Sequence, residues 1–292
     1  MSSIDKKPSG TATEIAFLRA LASIDNREEI RGPDVLAELF LPDDFKLSLN
    51  KPSQLKEVTC TRPGLYEYII ARTKYFDNKM KQALLENVPQ IVLLGAGYDT
   101  RPYRFINLIK DSKIFEVDVH TTQVHKQEIL DSSNIAIPES LVFVSTNFNK
   151  GNLKEVLCDA GYRRDQKTLF IWEGVIYYLL PESIDDIFNF IKSNSLAGST
   201  LCFDCIVSSS DILDLYGIKE IIEYMRKNHG GEPVRFSIEK GKTASFLSER
   251  GYKMIEHLTP GDMEREYLRL KDGTIAGRVM GHFHIVTAFN RL

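Results

Sequence analysis

The sequence lacks the features that would place it in a membrane, on nucleic acid or in a disulfide framework. No apolar run reaches the roughly 18 residues of a membrane-spanning helix. The formal net charge is only −3, so no positive field recruits nucleic acid or anionic lipid. Four cysteines in 292 residues fit a reduced protein better than a disulfide scaffold. Because Met1–Gly10 is short and polar and has no apolar signal region, we expect a cytoplasmic protein.

Short apolar runs alternate with helical patterns after Pro89. Continuous apolar strands separated by helices are typical of a parallel sheet that is covered on both faces. We therefore predict an α/β fold, a Rossmann-like doubly wound sheet of about seven strands whose last strand is antiparallel. The predicted strands are Ile91–Leu94, Ile114–Val117, Leu141–Val144, Leu169–Trp172, Thr200–Phe203, Tyr252–His257 and His282–Ala288.

We interpret residues 1–292 as a single domain with four parts. Residues 11–88 form an N-terminal helical cap, 89–207 the core that carries the candidate ligand site, 208–240 a helical lid insertion, and 241–292 the end of the sheet. The cap and the lid are predicted to contain helices near Thr13–Ile24, Asp34–Phe40, Ser53–Val58, Gly64–Leu85 and Ile212–Lys227, an otherwise irregular stretch over Pro42–Pro63, and a turn at Gly230–Pro233.

A glycine turn, Gly95-Ala96-Gly97, follows the first predicted strand. Its glycines let the backbone turn sharply and approach a ligand closely. A dinucleotide fingerprint needs a third small residue where Thr100 stands, and Asp99 puts a negative charge where a pyrophosphate would sit. These two residues argue against a nicotinamide oxidoreductase. They favour a cationic ligand without phosphates, of which S-adenosylmethionine is the candidate, although such a turn can also lack a ligand.

The second predicted strand ends in acid. Asp118 lies 21 residues after Gly97 (118 − 97), a position that suits hydrogen bonds to ribose hydroxyls. The alternative is that Asp118 caps the next helix, and both roles are compatible. Glu116 alternates with Asp118 and could orient it, and Val119 follows Asp118 directly. We include all three in the predicted cofactor site.

The third and fourth predicted strands also lead to polar residues. Asn147 can hydrogen-bond an adenine edge, and Phe148 can pack on the ring, unless both only belong to a polar loop. Glu173-Gly174 follows the fourth strand directly, at the carboxyl end where open α/β sheets bind ligands. Glu173 could face the amino group or sulfonium of the cofactor, or it could be the first charge of a helix.

Two arginines lie on apolar helix faces. Arg72 falls on the stripe of Ile69 and Phe76, and Arg19 shares a face with Ile15. A buried arginine needs a partner, and a carboxylate pairs well with its two-pronged guanidinium. The partner is either the carboxylate of the cofactor or an acidic side chain of the protein itself.

These residues, in this order, resemble the leucine carboxyl methyltransferase family, and most closely its bacterial branch. The resemblance covers nearly the whole chain, and its most specific part is the Gly-Ala-Gly-Tyr-Asp-Thr-Arg run beside a strand that ends in Glu-Val-Asp. The matching segments are Thr13–Ala20, Ala71–Asp77, Gln90–Arg101, Phe115–Asp118 and Trp172–Leu179.

The resemblance implies a class I methyltransferase fold with S-adenosylmethionine as cofactor. It implies that Arg19 and Arg72 reach the cofactor carboxylate, that Gly95 lines the turn, that Asp118 binds ribose and that Glu173 contacts the methionine end. The family usually has Asp-Leu where this chain has Asn147-Phe148, and an asparagine oxygen can still accept from adenine.

The methyl acceptor cannot be identified from the sequence. A carboxylate acceptor needs no base, whereas a hydroxyl needs one. The candidate catalytic residues are Tyr177, Tyr178, His282 and His284, although packing explains each of them as well. We expect O-methylation of a carboxylate or hydroxyl on a small molecule. A non-catalytic cofactor-binding or scaffold protein and a protein C-terminal carboxyl methyltransferase are the alternatives.

Cys202 and Cys205 suggest a metal or redox motif at first sight. A structural zinc site needs a second suitably spaced pair, and Cys60 and Cys158 do not supply one. Strand positions three residues apart also face opposite sides of a sheet. We therefore expect no metal, and the oligomeric state is not predicted.

Overall fold

An eight-stranded sheet organises the chain. The computed structural model describes residues 10–51, 53–228 and 233–290. The strands are β1 Gln90–Leu94, β2 Lys113–Asp118, β3 Leu141–Ser145, β4 Thr168–Trp172, β5 Thr200–Ser208, β6 Ile238–Glu239, β7 Tyr252–Leu258 and β8 Phe283–Asn290. Their order is β3-β2-β1-β4-β5-β8-β7, and the short β6 pairs with β5. The seven predicted strands and the predicted α/β class are confirmed, and β6 is additional.

The direction of the strands follows the prediction as well. β1 to β5 pair in parallel, and β8 runs antiparallel to both β5 and β7. Every residue of β1 and β4 is buried, as expected where helices cover both faces of a sheet. The helices after β1 are α5 Arg101–Arg104, α6 His120–Ser132, α7 Leu153–Asp159, α8 Pro181–Asn194, α9 Ile218–Asn228, α10 Thr243–Glu249 and α11 Pro260–Tyr267.

The N-terminal helices are α1 Gly10–Ser23, α2 Asp43–Leu49, α3 Gln54–Thr61 and α4 Leu65–Leu85. The short helix predicted near Ser53–Val58 is present as α3, whereas the rest of the stretch over Pro42–Pro63 is not simply irregular, because α2 begins directly after Pro42, which is its N-cap. The helix predicted over Asp34–Phe40 is only a 3-10 turn over Ala37–Phe40. Among the described residues, no helix is long and apolar enough to cross a membrane.

The insertion after β5 is less regular than predicted. The single helix expected over Ile212–Lys227 is divided into a 3-10 turn, Ile212–Asp214, and α9. Gly217 separates them with φ +80°, and a Cβ there would lie 2.1 Å from the carbonyl oxygen of Pro63. The close contact with Pro63 therefore fixes the break. The predicted turn at Gly230–Pro233 falls mainly on residues 229–232, which lie outside the described residues.

Candidate functional site

A cavity of about 420 Å³ lies at the carboxyl ends of β1, β2 and β4. This is the edge at which open α/β sheets bind ligands. The cavity brings together residues from α1, α4, the glycine turn and the loops after β2, β3 and β4. Of the predicted cofactor-binding residues, those that line it are Arg19, Arg72, Gly95, Ala96, Gly97, Asp99, Asp118, Val119, Asn147, Phe148, Glu173 and Gly174.

The glycine turn is held tightly against its neighbours. Gly95 has φ +70° and Gly97 has φ +46°, conformations that side-chain-bearing residues rarely adopt. A Cβ on Gly95 would lie 2.4 Å from Cγ2 of Val175. The amides of Gly95 and Ala96 donate to the carbonyl of Val117, at 2.8 and 3.1 Å. The turn therefore needs glycine for both its backbone conformation and its packing.

Asp118 connects this turn to the end of β2. Its Oδ2 accepts from the amide of Gly97 and its Oδ1 from the amide of Val119, both at 2.6 Å. The N-cap position of α6 is Val119, which makes no side-chain cap bond. Asp118 is therefore not the helix cap that the alternative interpretation proposed. Burial raises its pKa, against the effect of the two amide hydrogen bonds.

Glu116 is the one predicted cofactor-binding residue that does not line the cavity. It is completely buried, its Oε2 accepts from Nζ of Lys126 at 2.7 Å, and Tyr103 donates to its Oε1 at 3.3 Å. Burial raises its pKa to about 7. Glu116 and Asp118 share a face of β2, but Glu116 lies two residues before the strand end and forms an internal ion pair instead. The prediction that it contacts the cofactor or orients Asp118 is therefore corrected.

Asp99 is paired with a residue that the sequence interpretation did not use. The amide of Arg101 donates to Oδ1 of Asp99 at 2.9 Å, and its Nη2 lies 2.6 Å from Oδ2. Burial would raise the pKa of Asp99, but the Arg101 guanidinium outweighs it and lowers that pKa. Because Arg101 neutralises the Asp99 charge, this charge cannot by itself argue against a pyrophosphate.

Glu173 lies between two guanidinium groups. Its Oε1 is 2.9 Å from Nε of Arg72, and its Oε2 accepts from Nη2 of Arg101. Arg72 also reaches Oδ2 of Asp204 in β5, at 3.3 Å. The internal ion pair that was the alternative for Arg72 therefore exists, and Arg72 lines the cavity as well. Arg101 and Asp204 were missed at this site, although an aspartate in the apolar strand β5 was a usable signal.

Arg19, like Arg72, forms an internal ion pair and also lines the cavity. Its Nη1 lies 2.8 Å from Oδ2 of Asp34, and its Nη2 donates to the carbonyl of Tyr98 at 2.8 Å. Thr100 donates to the other oxygen of Asp34 at 2.6 Å. Arg19 thus connects α1 to the glycine turn while it lies on the cavity wall.

The candidate catalytic residues are divided between the cavity and the sheet. Tyr177 and Tyr178 line the cavity from a 3-10 turn, Ile176–Tyr178, whereas His282 is not among the lining residues. Burial, and then the charge of Asp204, raise the pKa of Tyr177 well above its usual value. Burial, together with neighbouring His284, lowers the pKa of His282 to about 3. His282 is therefore neutral and away from the cavity, which corrects its prediction as a catalytic candidate.

The cysteines of β5 are enclosed in the sheet. Cys202 accepts from the Thr287 hydroxyl at 3.2 Å, and burial raises its pKa to about 11. Cys205 is also buried and free. Within residues 10–51, 53–228 and 233–290, no three His, Cys, Asp or Glu side chains are arranged to hold a metal ion.

Known proteins with a similar sequence or fold support an enzyme. A Bacillus subtilis protein, "Putative S-adenosyl-L-methionine-dependent methyltransferase YktD", is 30% identical over 220 residues, which is 74% of this chain and 71% of that protein. A DUF574 family protein of Streptomyces avermitilis superposes with a TM-score of 0.60 at 14% identity, covering 94% of this chain and 97% of the other. A structure from Thermobifida fusca described as "a putative methyltransferase" gives 0.58 at 14% identity, covering 99% and 97%.

The strand order, the cavity at the strand ends and these relatives define an S-adenosylmethionine-dependent methyltransferase with the class I fold. Its cofactor is S-adenosylmethionine. Within this class, the chain belongs to the leucine carboxyl methyltransferase family, whose model matches residues 12–192. The resemblance seen in the sequence is thereby confirmed.

Proposed function

We propose that the cavity binds S-adenosylmethionine through the residues predicted from the sequence, without Glu116. The chemistry of the lining side chains supports this assignment. A carboxylate suits ribose hydroxyls at Asp118, a second carboxylate suits the amino group at Glu173, and an amide and a ring suit adenine at Asn147-Phe148.

The cofactor carboxylate is assigned to the arginines. Arg72 and Arg19 both line the cavity. Because a guanidinium has five N–H donors, donors remain for the cofactor carboxylate after the ion pairs with Glu173 and Asp34 are formed. Arg72 and Arg101 already balance the charge of Glu173, so the assignment depends on directed hydrogen bonds and not on a net negative charge of the cavity.

We propose that the acceptor is a small molecule that is methylated on a carboxylate oxygen. The observation that supports this is that Arg235 and Tyr177 both line the cavity, where a backbone hydrogen bond from the Arg235 amide to the Tyr177 carbonyl, at 2.8 Å, holds the two residues next to each other. With its raised pKa, Tyr177 is protonated at neutral pH, so it can donate a hydrogen bond but not remove a proton. The cation of Arg235 attracts an anionic acceptor. An ionised carboxylate needs no base.

The chemistry that follows is mainly a matter of alignment. Bound S-adenosylmethionine supplies an electrophilic methyl group. The protein's part is to bind the acceptor in line with that group and to exclude water, and such positioning can contribute roughly 7–11 kcal/mol. In this proposal Tyr177 and Tyr178 orient the acceptor and Arg235 holds its charge, since all three residues line the cavity.

The test is a transfer assay with methyl-labelled S-adenosylmethionine and a set of small carboxylic acids, each matched with the corresponding alcohol. A methyl ester releases labelled methanol in base, whereas a methyl ether does not. We expect base-labile label in the small-molecule fraction. Base-stable label would contradict the carboxylate, label in the protein fraction would contradict the small molecule, and no label across a broad set would favour a non-catalytic binder.

A further inference from the structure

Asp204 is the only acidic residue in β5, a strand of otherwise apolar and small residues. Its side chain has no exposed surface. A carboxylate in such a place has a high desolvation cost unless each oxygen has good partners. Burial raises the pKa of Asp204, and so does the charge of Glu173, whereas Arg72, the Gly174 amide and Tyr68 lower it. A buried acid at this position therefore needs an explanation beyond packing.

The two oxygens of Asp204 hold two parts of the cavity wall at once. Oδ1 accepts from the amide of Gly174 at 2.6 Å. Oδ2 accepts from the Tyr68 hydroxyl and lies 3.3 Å from Nη1 of Arg72. Gly174 and Arg72 both line the cavity, whereas Asp204 does not. Asp204 is thus placed to act on a ligand only through these neighbours.

The contact between Gly174 and Arg72 makes their positions interdependent. Gly174 has φ +74°, and a Cβ there would lie 3.2 Å from Nη1 of Arg72. The Arg72 guanidinium therefore packs against the bare backbone of Gly174, with Glu173 on one side and Asp204 on the other. Asp204 fixes the distance between the guanidinium and the turn that carries Glu173.

We propose that Asp204 is a positioning residue for the amino-acid end of the cofactor. By holding Arg72 and the Gly174 amide together, it aligns Arg72 for the cofactor carboxylate and Glu173 for the amino group. Tyr68 supports it from the other side, with its ring stacked on Phe283 at a centroid distance of 4.0 Å. This inference rests on the proposed assignment of Arg72 and Glu173 to that end of the cofactor.

The experiment compares two ligands that differ only in the amino-acid end. S-adenosylhomocysteine carries it, and 5′-methylthioadenosine keeps the adenosine and the sulfur without it. Their dissociation constants are measured by calorimetry for the wild type, Asp204→Asn, Tyr68→Phe and, as control, Cys205→Ser. Cys205 is the next residue of β5 and faces the opposite side of the sheet.

We expect Asp204→Asn to weaken S-adenosylhomocysteine about 10- to 100-fold, the range of a lost hydrogen bond to a charged group, and methylthioadenosine by less than about threefold. The asparagine oxygen can still accept from Gly174, but its NH2 group cannot accept from Arg72. Tyr68→Phe keeps the ring and should act in the same direction more weakly. Cys205→Ser should change neither constant.

The outcomes separate the two proposals. If the wild type binds both ligands equally, the protein does not recognise the amino-acid end, and the assignment of Arg72 and Glu173 fails. If the wild type discriminates and Asp204→Asn discriminates equally well, only the role of Asp204 fails. An equal loss for both ligands would show general damage and would also overturn the positioning role. Should Asp204→Asn not fold, the ratio of the two constants in Tyr68→Phe decides.

Discussion

Asp118 has two functions at the scale of a single residue. Its two oxygens each accept one backbone amide, from Gly97 and Val119. A carboxylate has about four lone-pair positions, so acceptor capacity remains for ribose hydroxyls. The same side chain therefore fixes the turn and, in our proposal, binds the ligand. A simple loss of affinity on mutation would not separate these functions.

We predict that Asp118→Ala weakens S-adenosylhomocysteine by about 10- to 100-fold, since it removes hydrogen bonds to a charged acceptor. The loss should be much smaller for the 2′,3′-dideoxy analogue, which has no ribose hydroxyls. Calorimetry on both ligands measures the difference. If both lose affinity equally, Asp118 acts on the turn alone and the ribose contact is wrong.

The sequence predicts only some of the carboxylates that form the site. The sequence places Asp118 and Glu173 at strand ends, and both line the cavity. It could not show that Lys126 of α6 reaches Glu116, or that Arg101 pairs with Asp99, because such pairs depend on side-chain direction in three dimensions. The connection of Asp204 to the site could not be predicted for a different reason: the residue lies inside β5 and reaches the site only through Arg72 and the Gly174 amide.

At the scale of an element, the turn after β1 depends on Gly95. A left-handed backbone alone costs an alanine roughly 1–2 kcal/mol. At Gly95, an added Cβ would also collide with Val175, in the loop after β4. The conformational cost and the packing cost can be separated with a second glycine of similar φ.

Gly241 provides this comparison, since its φ is +81° and a Cβ there would meet nothing within 4 Å. We predict that Gly241→Ala costs only the backbone term. Gly95→Ala should cost about 1–3 kcal/mol more, the usual range for overpacking, and should weaken cofactor binding. Urea unfolding of both variants measures the free energies. Equal destabilisation would mean that the Val175 contact relaxes without cost.

Three histidines lie in or directly beside the paired strands β7 and β8. His257 Nε2 and His284 Nδ1 lie 2.8 Å apart, and His282 precedes β8. Burial, then neighbouring histidines, lower the pKa of His282 to about 3 and that of His284 to about 4, with Lys240 lowering and Asp262 raising the latter. The unfolded chain takes up these protons near pH 6.5, so acid favours unfolding.

We predict that the stability contributed by neutral His282 is present above about pH 6.5 and is lost as the pH falls towards 3. His282→Gln removes this titration, so its unfolding free energy should fall less steeply between pH 6 and 4, by up to about 1.4 kcal/mol per pH unit. Urea unfolding at each pH measures the slopes. Glu116, with a pKa of about 7, contributes a pH slope of the opposite sign in the wild type and in the variant alike. The result is therefore the difference between the two proteins' slopes. Identical slopes would show that His282 is protonated equally in both states.

The elements themselves were largely predictable where the pattern was long. All seven predicted strands exist, and β1 and β4 are fully buried apolar runs that leave little other choice. The pattern failed where structure is short or set by a remote contact. β6 has two residues, α2 lies between two prolines, and the break before α9 is imposed by Pro63 on Gly217.

At the scale of the whole molecule, Arg62 joins the N-terminal helices to the insertion. Its guanidinium pairs with Glu14 of α1 and lies 4.7 Å from the centre of the Tyr224 ring of α9. α1 lines the cavity at its start, and the far end of the insertion lines it with Pro233 and Arg235. One buried side chain therefore connects α1, which lines the cavity, to α9 of the insertion.

We predict that Arg62→Ala increases hydrogen exchange in α1 and α9 together and speeds cofactor dissociation several-fold, since both elements lose a common anchor. Glu14→Gln removes only the ion pair, so it should affect α1 and spare α9. Arg163→Ala is the control, because its pair with Asp165 is exposed and such pairs contribute little. Exchange followed by mass spectrometry, with and without S-adenosylmethionine, measures each helix separately. An increase confined to one helix in Arg62→Ala would mean that α1 and the insertion open independently, and that the cavity does not have a shared lid.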